Sequence, residues 1–201
     1  MKKMFTTLFA SMLLVGVMAL PAVAEDEASV ASVASSSNQF DILVDLVVSA
    51  GLADALSATG ADDTLGAITV FAPTDDAFRK LVYELQRSEG VSWYKAFRTA
   101  YRSSEATIAD TVRSAVGDDL ATVLLYHVSN EAGAVPFAVA KTLKDFDLPM
   151  LAGGDVEIDG IRDRYVRLTD NNNRRTYVYR SLSDISAGDD IIHGINRVLL
   201  P

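Results

Sequence analysis

The spacing of apolar residues changes part-way along the chain. Through the first two thirds, apolar residues recur every three or four positions, as at Phe40, Leu43 and Val47, and this period predicts amphipathic helices. The later runs DVEIDG, RYVRLTD and RTYVYRS are separated by Gly, Asp and Asn, and their composition predicts strands. Because TDNNNR separates two of these runs, it predicts a hairpin loop. Helices followed by antiparallel strands indicate an α+β domain.

The stretch ITVFAPTDDAF, residues 68–78, predicts a strand that turns directly into a helix. Pro73 cannot donate a hydrogen bond to a sheet and disfavours helix at the residue before it, so we expect the strand to stop there. Thr74 is a good N-cap, and Asp75 and Asp76 fall in the first helical turn, where the helix dipole favours anions. Because every residue has a structural task, we interpret the stretch as a corner and not as a catalytic loop.

The N-terminus has the composition of an export signal. Lys2 and Lys3 precede a long apolar run that ends in Ala-Val-Ala, which predicts a secretory signal peptide over residues 1–24. An uncleaved membrane anchor is the alternative, because an apolar run of about 17 residues is borderline for spanning a bilayer. Residues 25–38 are small, polar and repetitive and predict a flexible leader. We therefore expect one domain over residues 39–201 in a periplasmic or extracellular protein, with no stable membrane span after signal cleavage.

The amino-acid composition excludes several kinds of reactive site and disfavours one class of partner. The chain has no cysteine, which excludes thiol nucleophiles, iron–sulfur clusters and Cys-based zinc sites. Its formal net charge of −9 at pH 7 disfavours general nucleic-acid binding, since phosphate contact needs positive faces. Neither a G-x-S-x-G nucleophile elbow nor a phosphate-cradling Gly-rich loop occurs. We therefore predict a non-enzymatic protein with no catalytic residues and no cofactor.

His127 and His193 are the two histidines of the chain. With a carboxylate such as Asp190 they could hold a metal ion. More often such histidines are buried between a helix and a strand and hydrogen-bond to backbone groups. We favour this second interpretation and predict no metal site.

Three motifs in order resemble the fasciclin domain: TVFAPTDDAF (69–78), LLYHV (124–128) and IIHGINRVLLP (191–201). The resemblance covers nearly all of the chain after the leader. It implies a compact β-sandwich-like wedge with several N-terminal and middle helices, generally without enzymatic activity and associated with adhesion. It also implies an interaction site at Tyr126 and its neighbour His127. A core role for both residues is the alternative.

Arginine and tyrosine are interleaved in the C-terminal strands. Alternation on two paired strands would place several of these side chains on one sheet face. Such a face could bind an acidic polysaccharide or an acidic protein surface through forked Arg hydrogen bonds and ring stacking. An ordinary solvated face is the alternative. Besides Tyr126 and His127, the candidate interaction residues are Arg164, Arg167, Arg174, Arg175, Tyr177 and Tyr179.

Trp93, Phe97 and Tyr101 recur every four residues within SWYKAFRTAYRSS. Such a stripe usually packs as core or lid, and it could instead cover an apolar cleft. Some fasciclin-like secreted proteins carry carotenoids, so the resemblance supports a second hypothesis, a carrier of a lipophilic small molecule with these three residues at its site. The first hypothesis is an exported module that binds a cell-surface or matrix protein or polysaccharide. A structural envelope protein without a specific ligand is a third, and the oligomeric state is not predicted.

Overall fold

A computed structural model describes residues 28–57 and 65–201. The predicted signal peptide, residues 1–24, and the first three residues of the predicted leader lie outside the described residues. The helices are α1 (Val30–Ser35), α2 (Asp41–Ser49), α3 (Asp75–Ser88), α4 (Trp93–Arg102), α5 (Glu105–Val116), α6 (Leu120–Leu125) and α7 (Phe137–Ala140). The strands are β1 (Thr69–Pro73), β2 (Val128–Ser129), β3 (Phe146–Pro149), β4 (Asp155–Ile161), β5 (Tyr165–Thr169), β6 (Arg175–Tyr179), β7 (Ile185–Ala187) and β8 (Asp190–Ile195).

In the described part of the chain, the strands form one mixed sheet. Its order is β2-β1-β8-β6-β5-β4-β3, and β7 pairs with β8 outside this path. β1 and β8 run parallel, with Thr69 opposite Ile191. The other paired strands are antiparallel, including the β5–β6 hairpin that TDNNNR predicts. The prediction of an α+β fold is confirmed.

The buried side chains form two apolar clusters. The helices contribute most of the first cluster, in which Ile42, Leu46 and Phe78 pack against residues of β1 and β8. Strands β3–β6 contribute most of the second, which includes Ile158 and Leu168. Among the described residues, no helix has both the length and the apolar character needed to cross a membrane.

Part of the predicted flexible leader is folded, which corrects that prediction for residues 28–38. Helix α1 begins after Ser29, whose side-chain oxygen accepts a hydrogen bond from the Ser32 N–H at 3.2 Å. Val30 and Ala34 are buried against the first cluster. The composition of this segment indicates disorder, but these two residues lie four apart and therefore share one helix face. That face is covered by the domain.

The corner between β1 and α3 also holds the start of α2. Thr74 caps α3 by accepting a hydrogen bond from the Ala77 N–H at 3.4 Å. The Asp75 carboxylate accepts a hydrogen bond from the Ile42 N–H at 2.9 Å, at a helix end where Phe40 offers no side-chain cap. Asp75 is therefore a capping residue for a helix that precedes it by more than thirty positions.

Replacing Asp75 with Ala should destabilise the domain. The first turn of α2 would lose its carboxylate cap, a loss that typically costs about 0.5–2 kcal/mol. Urea unfolding measures this change. Asp76→Ala is the matched control, because Asp76 lies in the same turn but is exposed, and it should change the free energy of unfolding much less. Equal effects of the two substitutions would contradict the capping role.

Candidate functional site

The strongest candidate surface is the outward face of β5 and β6. Tyr165 lies opposite Tyr179, and Arg167 lies opposite Tyr177. Arg175 is on the same side by strand alternation, while the intervening residues Val166, Leu168, Thr176 and Val178 are buried. We call the set Tyr165, Arg167, Arg175, Tyr177 and Tyr179 the Arg–Tyr face. The pairing brings these side chains together as the alternation predicts.

The tyrosine rings of the Arg–Tyr face contact one another. The rings of Tyr165 and Tyr177 meet edge to face with their centroids 5.1 Å apart. The rings of Tyr177 and Tyr179 are nearly parallel, with centroids 6.3 Å apart. The three rings thus form a continuous aromatic ridge, of which Tyr179 is the most exposed member.

Arg167 is already paired within the domain. Its Nε donates to the Asp159 Oδ1 at 2.7 Å, and the Thr169 hydroxyl donates to the other carboxylate oxygen at 3.2 Å. Partial burial tends to raise the pKa of Asp159, but the bond and charge of Arg167 outweigh it and the pKa is lowered. A Cβ at Gly160 would lie 2.9 Å from Arg167 Nε, so glycine leaves room for this guanidinium. Arg167 therefore stiffens the face and is not a free cation.

Of the four arginines selected from the sequence, Arg164 and Arg175 remain exposed and available. Arg164 lies in the turn before β5, and Arg175 begins β6. Within residues 28–57 and 65–201, neither guanidinium makes a hydrogen bond or an ion pair to another side chain. Both can offer their full set of N–H donors to an anion.

Arg174 does not belong to the Arg–Tyr face, which corrects its selection from the sequence. Its guanidinium donates to Glu84 Oε2 on α3 at 3.0 Å, and Arg197 donates to the other oxygen of the same carboxylate at 2.6 Å. Arg174 lies one residue before Arg175, and successive side chains of a strand point to opposite sides. It joins the end of the sheet to α3.

Tyr126 and His127 lie inside the domain, so a partner cannot contact their side chains in this structure. The Tyr126 hydroxyl donates to the Asp155 carbonyl at 2.6 Å. His127 Nε2 accepts from the Leu199 N–H at 2.9 Å, so its Nδ1 carries the proton and donates to the Val123 carbonyl at 2.7 Å. Tyr126 therefore links the end of α6 to β4, and His127 links α6 to the C-terminal segment. Their selection as surface interaction residues is corrected by this burial.

His193 is bonded in the same manner. Its Nε2 donates to the Val135 carbonyl at 2.8 Å, and its Nδ1 accepts from the Asp184 N–H at 3.2 Å. Burial lowers the pKa of both histidines, that of His127 to about 4. Both rings are therefore neutral near pH 7 and serve as the backbone clips that the sequence predicts.

Three carboxylates, those of Asp41, Asp75 and Glu105, have oxygen atoms within 4.8 Å of one another. Two of them are engaged, since Asp75 caps α2 and Glu105 pairs with Arg79 at 3.5 Å. Burial raises the pKa of Asp75 even though the bond from Ile42 lowers it. The hydrogen bond of Asp75 and the ion pair of Glu105 therefore explain why these carboxylates lie close together at the β1–α3 corner.

The sequence-family model for the fasciclin domain matches residues 38–201. The chain belongs to the fasciclin domain family. Fasciclin domains are known in adhesion-type proteins, are generally non-enzymatic and occur in extracellular or exported proteins. In this chain α1 precedes the matched residues, so its packing extends the fasciclin domain at the N-terminal side.

Two relatives support the assignment to the fasciclin family. Protein sll1483 of Synechocystis sp. is 28% identical over 174 residues, which cover 86% of this chain and 73% of that protein. The structure of a FAS1 domain pair from the insect cell adhesion molecule fasciclin I is similar with a TM-score of 0.58 at 17% identity. The similarity covers 87% of this chain and 51% of the insect chain, so this chain spans about half of that pair. At this identity the similarity shows the fold alone.

The aromatic stripe of α4 lies on the outside of the fasciclin domain. Trp93, Phe97 and Tyr101 are 65%, 44% and 40% exposed, whereas Ala96 and Ala100 are buried. The small side chains face inward because a close approach of α4 to α3 leaves no room for rings. The expectation that the stripe packs as core or covers a cleft is therefore corrected.

The fasciclin domain does contain an apolar cavity, in a different place. It has a volume of about 60 Å³ and lies between α1, α2, β1 and α6, with Val30, Val44, Val70 and Leu124 among its lining residues. The α4 aromatic residues are not part of its lining.

Five residues that contact or adjoin the candidate surfaces were not selected as site residues from the sequence: Asp159, Tyr94, Lys95, Arg98 and Arg102. Local spacing in the sequence does not show the strand irregularity next to Asp159. It also does not show which face of α4 is covered.

The neutral state of His127 predicts a pH dependence of stability. The unfolded chain takes up the proton near pH 6.5 and the folded domain only near pH 4, so the contribution of His127 is complete above pH 6.5 and is lost as the pH falls towards 4. Over this window, roughly 3 kcal/mol of unfolding free energy should disappear. Urea unfolding at a series of pH values measures it.

His127→Gln should flatten this dependence, because glutamine can donate and accept a hydrogen bond without titrating. His193 contributes to the pH dependence of stability that remains in this variant, because burial lowers the pKa of His193 as well. His193→Gln is the control and should keep the His127 contribution. A His127→Gln variant with the full slope of the parent would refute the assignment.

Proposed function

We propose that this fasciclin domain is an exported, non-enzymatic interaction module that binds an anionic partner through the Arg–Tyr face. The partner is a cell-surface or matrix protein or an acidic polysaccharide. The observation that carries the proposal is the ridge of three tyrosine rings, with the uncommitted guanidinium of Arg175 on the same sheet face and exposed Arg164 in the turn before β5. The family is known in adhesion-type proteins, which supports this class of function.

The chemistry of the face favours carboxylate, sulfate or phosphate groups. An arginine fork donates two parallel hydrogen bonds to such a group, and these bonds are about twice as strong as neutral ones. The adjacent tyrosine rings can stack on sugar rings or on peptide side chains and carry a hydroxyl that hydrogen-bonds at their exposed end. Asp159 holds the Arg167 side chain in place opposite Tyr177.

Because the chain is acidic overall, the attraction of an anion to Arg164 and Arg175 acts only over a short distance. A chain with a net charge of −9 repels polyanions at long range. Binding therefore requires the anion to reach Arg164 and Arg175 within about one Debye length, roughly 8 Å at physiological salt. We expect an affinity that falls steeply as salt increases.

Arg164→Ser combined with Arg175→Ser should weaken binding to immobilised heparin and to cell-surface extracts about tenfold at low salt, because two solvent-exposed charge pairs are lost and each contributes up to about 1 kcal/mol. Biolayer interferometry measures the change. Arg164→Lys with Arg175→Lys keeps the charge but removes the fork, and should bind with intermediate affinity.

The matched control for this experiment is Lys80→Ser with Arg87→Ser. Both cations lie on α3, outside the Arg–Tyr face and α4, and their loss changes the net charge by the same amount. The control should bind heparin as the parent does. If the Arg164/Arg175 double variant binds as tightly as the parent at low salt, the face is not the binding surface.

A carrier of a lipophilic molecule such as a carotenoid stays a second hypothesis with less support. The apolar cavity of about 60 Å³ is far below the roughly 300–1,000 Å³ of ordinary ligand pockets, so α1 would have to move away to admit such a ligand. Visible absorption of the protein purified from its native source tests this role. A colourless protein that takes up no added carotenoid would exclude it.

A further inference from the structure

Helix α4 leaves four aromatic side chains uncovered. Trp93 and Tyr94 are 65% and 57% exposed, and Phe97 and Tyr101 are each at least 40% exposed. The helix packs on the domain through Ala96 and Ala100. Single exposed aromatic residues are common on soluble proteins, but a contiguous group on one helix marks a site of interaction.

The same helix is positively charged in an acidic chain. Lys95, Arg98 and Arg102 are exposed, and no acid lies between Trp93 and Arg102. A shallow groove of about 410 Å³ runs along this side of the helix and is lined by Tyr94, Lys95, Arg98, Thr99, Arg102 and Ser103. Within the described ranges, these three cations have no ion pair. These unpaired cations favour the binding of an anionic partner.

The two kinds of side chain occupy neighbouring stripes. Trp93, Phe97 and Tyr101 follow one another at four-residue spacing, and so do Tyr94, Arg98 and Arg102. The Arg98 guanidinium carbon lies 6.0 Å from the centre of the Tyr94 ring, where the two stripes meet. The exposed surface therefore has an aromatic edge and a cationic edge along a helix about 15 Å long.

The kinds of ring on α4 distinguish between anionic partners. Trp93 and Phe97 are largely apolar, and they are 65% and 44% exposed beside the cations. A soluble polyanion would leave these apolar rings in water, whereas a bilayer would bury them. The interface of a bilayer accepts aromatic rings in any orientation, with their apolar part among the acyl chains and neighbouring Lys and Arg at the phosphates.

We propose that α4 binds the surface of an anionic lipid membrane, with Trp93, Phe97 and Tyr101 inserted at the interface and Lys95, Arg98 and Arg102 against the lipid phosphates. The attachment is peripheral, and it holds the Arg–Tyr face at a membrane. It uses different residues from the proposed function, so either can fail without the other.

Trp93 is the one tryptophan of the chain, so its fluorescence reports on α4 alone. The protein purified after export is mixed with vesicles of phosphatidylglycerol and phosphatidylcholine, or of phosphatidylcholine only. With anionic vesicles we expect the emission to shift to shorter wavelength and the protein to co-sediment. Both signals should be lost with phosphatidylcholine alone and should weaken in high salt.

Lys95→Ser, Arg98→Ser and Arg102→Ser together should weaken vesicle binding on the order of 100-fold, since each cation near an anionic surface contributes about a factor of five. Phe97→Ala with Tyr101→Ala should reduce both the emission shift and the co-sedimentation. The control is Lys144→Ser with Arg162→Ser and Arg180→Ser, which removes the same charge from exposed positions on the sheet side. It should bind vesicles as the parent does. Thermal melting checks that each variant is folded.

Unchanged Trp93 emission with anionic vesicles would overturn the proposal, as would equal binding to both kinds of vesicle. A shift caused by soluble heparin and not by vesicles would assign α4 to an anionic polymer. A shift that depends on protein concentration without vesicles would assign it to a second copy of the chain. Either of these results would also overturn the membrane assignment.

Discussion

The parallel pairing of β1 with β8 is the contact on which the rest of the fold depends. It joins residues 69–73 to residues 191–195, which are separated by more than one hundred positions. The Asp190 carboxylate accepts from the Ile68 N–H at one end, and the Ile195 carbonyl accepts from the Thr74 N–H at the other. Helices pack on one side of the β1–β8 pair, and strands β3–β6 continue the sheet beyond it. Formation of this pair therefore brings together the residues of both apolar clusters.

The polar residues of the fasciclin motifs support this pairing. His127 connects α6 to the chain after β8, and its carbonyl accepts from the Phe71 N–H in β1. His193 and Asp75 likewise have backbone partners. Both ring nitrogens of His127 and of His193 take part in such bonds, so neither ring has a free nitrogen for a partner. The two proposed binding surfaces lie instead on the outside of the domain.

Two outer surfaces combine arginine with aromatic rings, but their shapes differ. The Arg–Tyr face belongs to a paired sheet in which Asp159 holds Arg167 and the rings contact one another in a ridge. Such a surface is preorganised, so it loses little entropy when an anion binds. Helix α4 instead presents Trp93 and Phe97, which are largely apolar, next to a row of cations. A rigid sheet suits a defined anionic group, and apolar rings beside cations suit the interface of a bilayer.

Local spacing in the sequence determined the features that depend on neighbouring residues. Periods of two and of three to four residues identify strands and helices, Pro73 and Thr74 specify the corner, and alternation along β5 and β6 places Arg167, Arg175 and the tyrosines on one face. Only the tertiary structure decided which side of each element is covered. The small residues of α1 are helical because the first cluster covers them, and the aromatic residues of α4 are outside because α3 approaches closely at Ala96 and Ala100. Contacts between distant segments make these choices, and a local pattern carries no information about which segment will be the neighbour.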